Sequence, residues 1–205
     1  MTPLPSADRR HLENVVQHAR EVAETAARAA VDQLDVSSPK AADWFTPEQA
    51  DLRRRLRAHA RQLGDTRRAN GEQETTRLIT EIAYQQWHRM LFARFLAEND
   101  LLIHPDLGVP VTLEECDELA AEEGAKDGWE LAGRFASRML PQIFRPDDAA
   151  LALDFAPEHQ RELEQLLESV PAETFTASDA LGWVYQFWQS KKKDEVNRSG
   201  VKIGA

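Results

Sequence analysis

Between Thr75 and Leu101 the apolar residues Ile79, Ile82, Ala83, Trp87, Met90, Leu91, Phe95 and Leu96 recur at three- and four-residue spacing. This period predicts one long helix with a broad apolar face. At 1.5 Å per residue it spans about 40 Å. Asn70 or Thr75 opens it, and Asn99-Asp100 and His104-Pro105 close it. A rod of that length with so wide an apolar face must be covered by other elements, so it is the natural centre of the fold. No stretch of the chain alternates convincingly with period two over five or more residues. The expected architecture is therefore all-α: a multi-helix orthogonal bundle of about six to seven helices with no sheet. No internal repeat is visible.

The other helices follow from their own start and stop signals. Ser6 or Asp8 begins a helix that runs to about Leu34, with a narrow stripe of Leu12, Val15, Val16, Ala19, Val22, Ala23, Ala26 and Ala30. So much alanine requires a close packing partner. Val36-Ser37-Ser38-Pro39-Lys40 breaks it. Thr46-Pro47-Glu48-Gln49 reads as a cap, a first-turn proline and a capping-box partner, and Gly64 as the stop after Leu63. Thr112 heads a short acidic helix that Gly124 ends. Trp129, Leu131, Phe135, Met139 and Leu140 mark another, stopped near Pro141. Residues 146–157 form a connector with one turn around Ala149–Leu153. Pro157 then opens a helix over 158–169, and Thr176 or Ser178 caps the last one.

The chain has 205 residues, 42% of them apolar, which is enough for a core. Its one cysteine, Cys116, has no internal disulfide partner, and no Cys/His cluster has metal spacing. A reducing, cytoplasmic setting fits, and neither a signal peptide nor a membrane span is evident. The net charge of −10 argues against a protein that coats nucleic acid indiscriminately. Its distribution is uneven. Residues 1–70 carry 12 Lys and Arg against 10 Asp and Glu, whereas residues 71–205 carry 13 against 25. Two parts are expected on this basis: 1–70, a helical arm with a basic helix, and 71–205, a helical bundle.

The candidate binding surface is the run Arg53, Arg54, Arg55, Arg57, Arg61, Arg67 and Arg68. Guanidinium groups fork onto phosphate oxygens, and a row of them along a helix can follow a nucleic-acid backbone. Arg53, Arg54, Arg57, Arg61, Arg67 and Arg68, with Lys191, Lys192 and Lys193, are the candidate DNA-phosphate contacts. The competing reading of the arginines is a solvated helix paired with the chain's acids. For the lysines it is a helix end that complements the macrodipole. His11 and His18 lie seven apart without a carboxylate arrangement suited to a metal. Cys116 sits among Glu114, Glu115, Asp117 and Glu118, which disfavour a thiolate.

The most distinctive run is Leu181-Gly182-Trp183-Val184-Tyr185-Gln186-Phe187-Trp188, followed by Lys191-Lys192-Lys193-Asp194-Glu195-Val196. Its aromatic part reads as a buried helix rather than a base-stacking platform, with Tyr185 free to bond a neighbouring helix. This run, together with Trp87 to Asp100, resembles segments of large adenine-specific DNA methyltransferases. They include the phage growth limitation (BREX-type) enzymes and relatives in restriction-modification systems. The resemblance covers roughly residues 72 to 205 and implies the N-terminal helical region of such an enzyme. Residues near the end then form a linker toward a methylase domain outside this chain. It also implies S-adenosylmethionine as cofactor of the complete protein, with none held by this chain, and DNA and a methylase domain or subunit as partners. In that family a glycine-rich loop and an Asn-Pro-Pro-Tyr-type run carry the chemistry. This chain has no Pro-Pro dipeptide, no G-x-G-x-x-G and no G-x-x-x-x-G-K-[ST], so no catalytic, cofactor or metal residue is assigned. The alternative expectation is a self-standing helical protein–protein interaction module of a defence complex.

Overall fold

The structure, a computed structural model, describes residues 3–145 and 148–198, with 191–198 described by their backbone alone. Among the described residues there are eight helices and no strand: α1 (Ser6–Gln33), α2 (Pro47–Gln62), α3 (Thr76–Glu98), α4 (Leu113–Leu119), α5 (Gly128–Met139), α6 (Pro157–Glu168), α7 (Ala172–Thr176) and α8 (Ala180–Arg198). The all-helical bundle is as expected, with one helix more than the sequence suggested. The extra element is α7, a five-residue turn of helix between Pro171 and Ala177, too short to carry a period of its own. Thr176 therefore ends α7 instead of capping α8. The side chain next to the start of α8 is Asp179, which accepts a hydrogen bond from the Trp183 indole at 2.7 Å and one from the Leu4 backbone N–H at 2.8 Å.

Helix α3 is the centre of the bundle, packed on α1, α2, α5, α6 and α7. Its apolar residues divide between two clusters. Leu78, Ile79, Ile82, Ala83, Trp87, Met90 and Leu91 join α1, α2, α6, α7 and α8 in the larger one. Ala93, Leu96 and Ala97 join Leu102, Val111, Cys116, Leu131 and Phe135 in a smaller one under α4 and α5. The alanine stripe of α1 lies against α3, where small side chains permit the close approach the sequence requires. The boundary expected near residue 70 falls in the α2–α3 loop, and α1 shares one continuous core with α3 and α8.

Local capping explains the helix ends. Thr46 with Gln49, and Thr112 with Glu115, form reciprocal capping boxes. Helix α1 ends with Asp35 at φ 53° and a Val36 N–H to Val31 carbonyl bond, the left-handed cap usually given to glycine. At the start of α3 the cap comes from a distance. The Asp65 carboxylate accepts from the N–H groups of Arg77 (3.0 Å) and Leu78 (2.9 Å), satisfying two orphan donors of the first turn. Between α3 and α4, residues 102–111 fold as a hairpin-like loop. The His104 N–H bonds to Val109 and the Val111 N–H to Leu102, with Gly108 at φ +67° in its turn.

Candidate functional site

The arginines of α2 separate into two groups. Arg53 and Arg57 point inward and are buried at 7% and 8% exposure. Arg53 donates to the backbone carbonyls of Asp35 (3.0 Å), Lys40 (3.0 Å) and Ser38. Arg57 donates to Val36 (2.6 Å), Gly71 (2.8 Å) and Ser38. The two guanidiniums therefore knit the α1–α2 connection and the α2–α3 loop onto α2. These carbonyls lie in irregular backbone with no helical partner, and the bond to buried Val36 satisfies an acceptor that burial would otherwise leave unpaired. Burial is the main reason both guanidiniums are less basic than usual. Arg57 is pushed further by Arg53, Arg67 and Arg61, while Asp35 partly offsets the effect on Arg53. As phosphate contacts these two residues are displaced: their donors are taken up inside the fold.

The second group is exposed. Arg54 pairs with Asp51 one turn back. Arg68 pairs with Glu72 at 3.2 Å and lies 3.9 Å from Glu74. Arg61 reaches the Gln73 amide oxygen at 3.4 Å, and neither Arg61 nor Arg67 has a carboxylate at ion-pair distance among the described residues. The loop that carries Arg67 and Arg68 is pinned by Gln73, which is buried at 2%. Its amide donates to the carbonyls of Asp65, Thr66 and Glu74, and its backbone N–H bonds to Ser37 at 2.8 Å. Four exposed guanidiniums, Arg54, Arg61, Arg67 and Arg68, thus remain on a rigid support. Sequence reasoning missed Gln73 and Asp65. Both are single polar residues in a loop, and nothing in local spacing separates them from solvated neighbours.

The aromatic end of α8 is docked. Trp188, Phe187 and Val184 are buried against α1 and α3. The Trp188 ring lies parallel to Trp87 with centroids 6.2 Å apart, and its backbone carbonyl accepts from Arg20 Nη1 at 2.6 Å. Trp183 is only half-buried, covered by the Arg9 guanidinium at 4.6 Å. Tyr185 is 58% exposed, and among the described residues its hydroxyl has no hydrogen bond to a neighbouring helix, contrary to expectation. The side chains of Lys191, Lys192 and Lys193 lie outside the described residues.

The remaining chemical candidates are accounted for structurally. Burial, aided by Glu115, raises the Cys116 thiol to about 11, so it stays protonated near neutrality. His11 meets the Ser169 carbonyl at 3.0 Å and His18 meets Glu162 at 3.3 Å. No group of His, Cys, Asp and Glu among the described residues is arranged to hold a metal. No described helix is long and apolar enough to cross a membrane.

No family model matches the chain, and no solved structure matches it. A curated relative does: the adenine-specific methyltransferase PglX of Lacticaseibacillus casei (strain Zhang), 22% identical over 183 residues. The match takes in 70% of this chain and 15% of that protein, so the chain spans about 15% of the relative's length. The chain is thus distantly similar to part of an adenine-specific methyltransferase.

Proposed function

We propose that this chain is the N-terminal helical portion of an adenine-specific DNA methyltransferase-like protein of phage defence or restriction-modification, and that it scaffolds a methylase body while its exposed arginines touch DNA phosphates. The observation that carries the reading is the similarity to a small share of PglX, in a chain without the motifs of methyl transfer. S-adenosylmethionine is then held by the methylase body and not by these helices.

Two surfaces suit the two roles. Arg54, Arg61, Arg67 and Arg68 offer the phosphate-directed face. At the opposite chemical extreme, five of the seven exposed large apolar side chains among the described residues are Leu101, Leu107, Val109, Met139 and Ile143. They belong to the 102–111 loop, its approach, the end of α5 and the turn after it, and the loop meets α5 where the Ile103 N–H points at Met139 Sδ (3.4 Å). Exposed Asp100, Asp106 and Glu114 flank the loop, and exposed Arg138 and Arg145 flank Met139 and Ile143. An apolar centre with a rim of mixed charge favours a protein partner over DNA.

The test is to mix the purified chain with the methylase body encoded in the same or the adjacent reading frame and measure the mass of the eluting species. A one-to-one complex is expected, and Leu107→Asp with Val109→Asp should abolish it. Separate elution of the wild-type chain and the methylase body would remove the scaffold role.

A further inference from the structure

A cleft of about 640 Å³ lies between α3, α5 and α6 and is closed on one side by residues 151–157. That volume is in the range of small-molecule sites. It belongs to neither surface described above. Its walls include the apolar side chains of Met90, Leu151, Leu153, Pro157 and the half-buried rings of Trp129 and Phe155.

Five cationic side chains line it: Arg89, Lys126, Arg134, Arg138 and Arg161. Arg89 is the most enclosed, and its head group is fixed. The buried Gln86 amide donates to the carbonyls of Ala150 (3.0 Å) and Leu153 (2.7 Å) and accepts from Arg89 Nη2 at 3.0 Å. One of the five guanidinium donors is thereby used. Among the described residues no carboxylate lies at ion-pair distance from Arg89. The acids of the cleft are engaged elsewhere: Asp127 with the Glu130 N–H (2.8 Å), Glu130 with Arg134 (3.1 Å) and the Lys126 N–H (2.8 Å), Asp154 with Lys126 (3.2 Å), and Glu164 with Gln160 (3.0 Å). Burial lowers the basicity of Arg89, and Glu130 and Asp154 offset this only from a distance. Arg138 and Arg161 at the rim also have no ion pair among the described residues.

A guanidinium that is oriented, partly stripped of water and without a counter-charge favours an anion. Arg89 is such a group, and the exposed Arg138 and Arg161 at the rim bring the cations without an ion pair among the described residues to three, which exceeds the two oxygens of a carboxylate and suits the three of a phosphate monoester. The half-buried rings give a flat apolar body a place to lie. We propose that this cleft binds a nucleotide, with Arg89 holding the phosphate, Arg138 and Arg161 closing over it, and Trp129 and Phe155 flanking the base. The nucleotide is either free or the 5′-phosphorylated end of a strand. The inference rests on the cleft alone and not on the link to a methylase.

The experiment is a titration of the full chain with deoxyadenosine monophosphate, read by calorimetry and by the indole NMR signals, with Trp129 assigned through Trp129→Phe. The expected result is saturable binding that moves the Trp129 signal. It should weaken at least tenfold for deoxyadenosine without phosphate and for Arg89→Gln. Arg138→Ala with Arg161→Ala, on the exposed rim, should weaken it severalfold in a chain whose melting temperature is unchanged, which keeps the test valid if Arg89→Gln does not fold. A 5′-phosphorylated single-stranded oligonucleotide distinguishes the sources: tighter binding than the mononucleotide, with the same Trp129 shift, assigns the site to strand ends, and weaker binding assigns it to free nucleotides. Absence of any Trp129 shift, binding undiminished in the arginine variants, or inorganic phosphate binding as tightly as the nucleotide would overturn the proposal.

Discussion

At the scale of single residues, the arginines fall into two groups, one buried and structural and one exposed and proposed to contact phosphates. Arg20, Arg53, Arg57 and Arg94 are buried and donate to backbone carbonyls. Arg94 closes the end of α6 through Leu167 and the Val170 carbonyl (2.8 Å), with its guanidinium over the Phe175 ring at 4.7 Å. Arginine suits this work because one planar head reaches several acceptors at once. The two roles are separable by mutation. Arg57→Ala should destabilise the fold by about 3 kcal/mol, since buried acceptors are deprived of a charged donor. Arg61→Ala with Arg67→Ala and Arg68→Ala should leave the melting temperature nearly unchanged while weakening DNA binding. The salt dependence of that binding should flatten by about one unit of slope for each phosphate no longer neutralised. Equal DNA binding by wild type and the triple variant would remove the phosphate role.

His88 gives a pH signature. Its ring stacks on Tyr84 (centroids 5.1 Å apart) and lies near Phe92 and Phe144, and burial depresses its pKa. The unfolded chain binds the proton more readily, so this contribution to stability is full above about pH 6.5 and is lost as pH falls through the lower folded value. Thermal melts at about pH 7.5 and about pH 5 should therefore show a loss of stability that is smaller in His88→Phe. An identical pH response in the variant would exclude His88 as a source of it.

At the scale of elements, the helices were legible where apolar spacing and capping chemistry agreed. The 75–101 period, the Thr46-Pro47-Glu48-Gln49 start and the Thr112 cap each correspond to an observed helix. What escaped the sequence has a common physical cause: it depends on partners distant along the chain. The Asp65 cap on α3, the Gln73 pin and the inward turn of Arg53 and Arg57 are set by a loop folding back, not by local period. The same holds for α8. Its aromatic density implied burial, but the face that packs is Val184, Phe187 and Trp188, with Trp183 at the margin and Tyr185 outside. Trp188→Ala should accordingly cost about 3–5 kcal/mol by denaturant unfolding, because it vacates the α1–α3–α8 junction. Trp183→Ala should cost less and Tyr185→Ala no more than about 0.5 kcal/mol. An unchanged midpoint for Trp188→Ala would mean that α8 is not part of the cooperative core.

At the scale of the whole molecule, charge and apolar surface are unevenly distributed, and the two contact faces proposed above rest on that distribution. Exposed Arg54, Arg61, Arg67 and Arg68 lie on α2 and the loop after it, supported by a core that joins α1 to α3 and α8. The apolar loop between α3 and α4 lies beside acidic residues on the smaller core under α4 and α5. A rigid helical body with one face suited to phosphates and another suited to a protein is what a scaffold between DNA and a methylating body requires. Its consequence is measurable in one assay: N6-methyladenine formed on duplex DNA by the methylase body with and without this chain. The account predicts a large gain in methylation when the chain is added, lost with Leu107→Asp and Val109→Asp. Full methylation by the methylase body alone, unaltered by the chain, would contradict it.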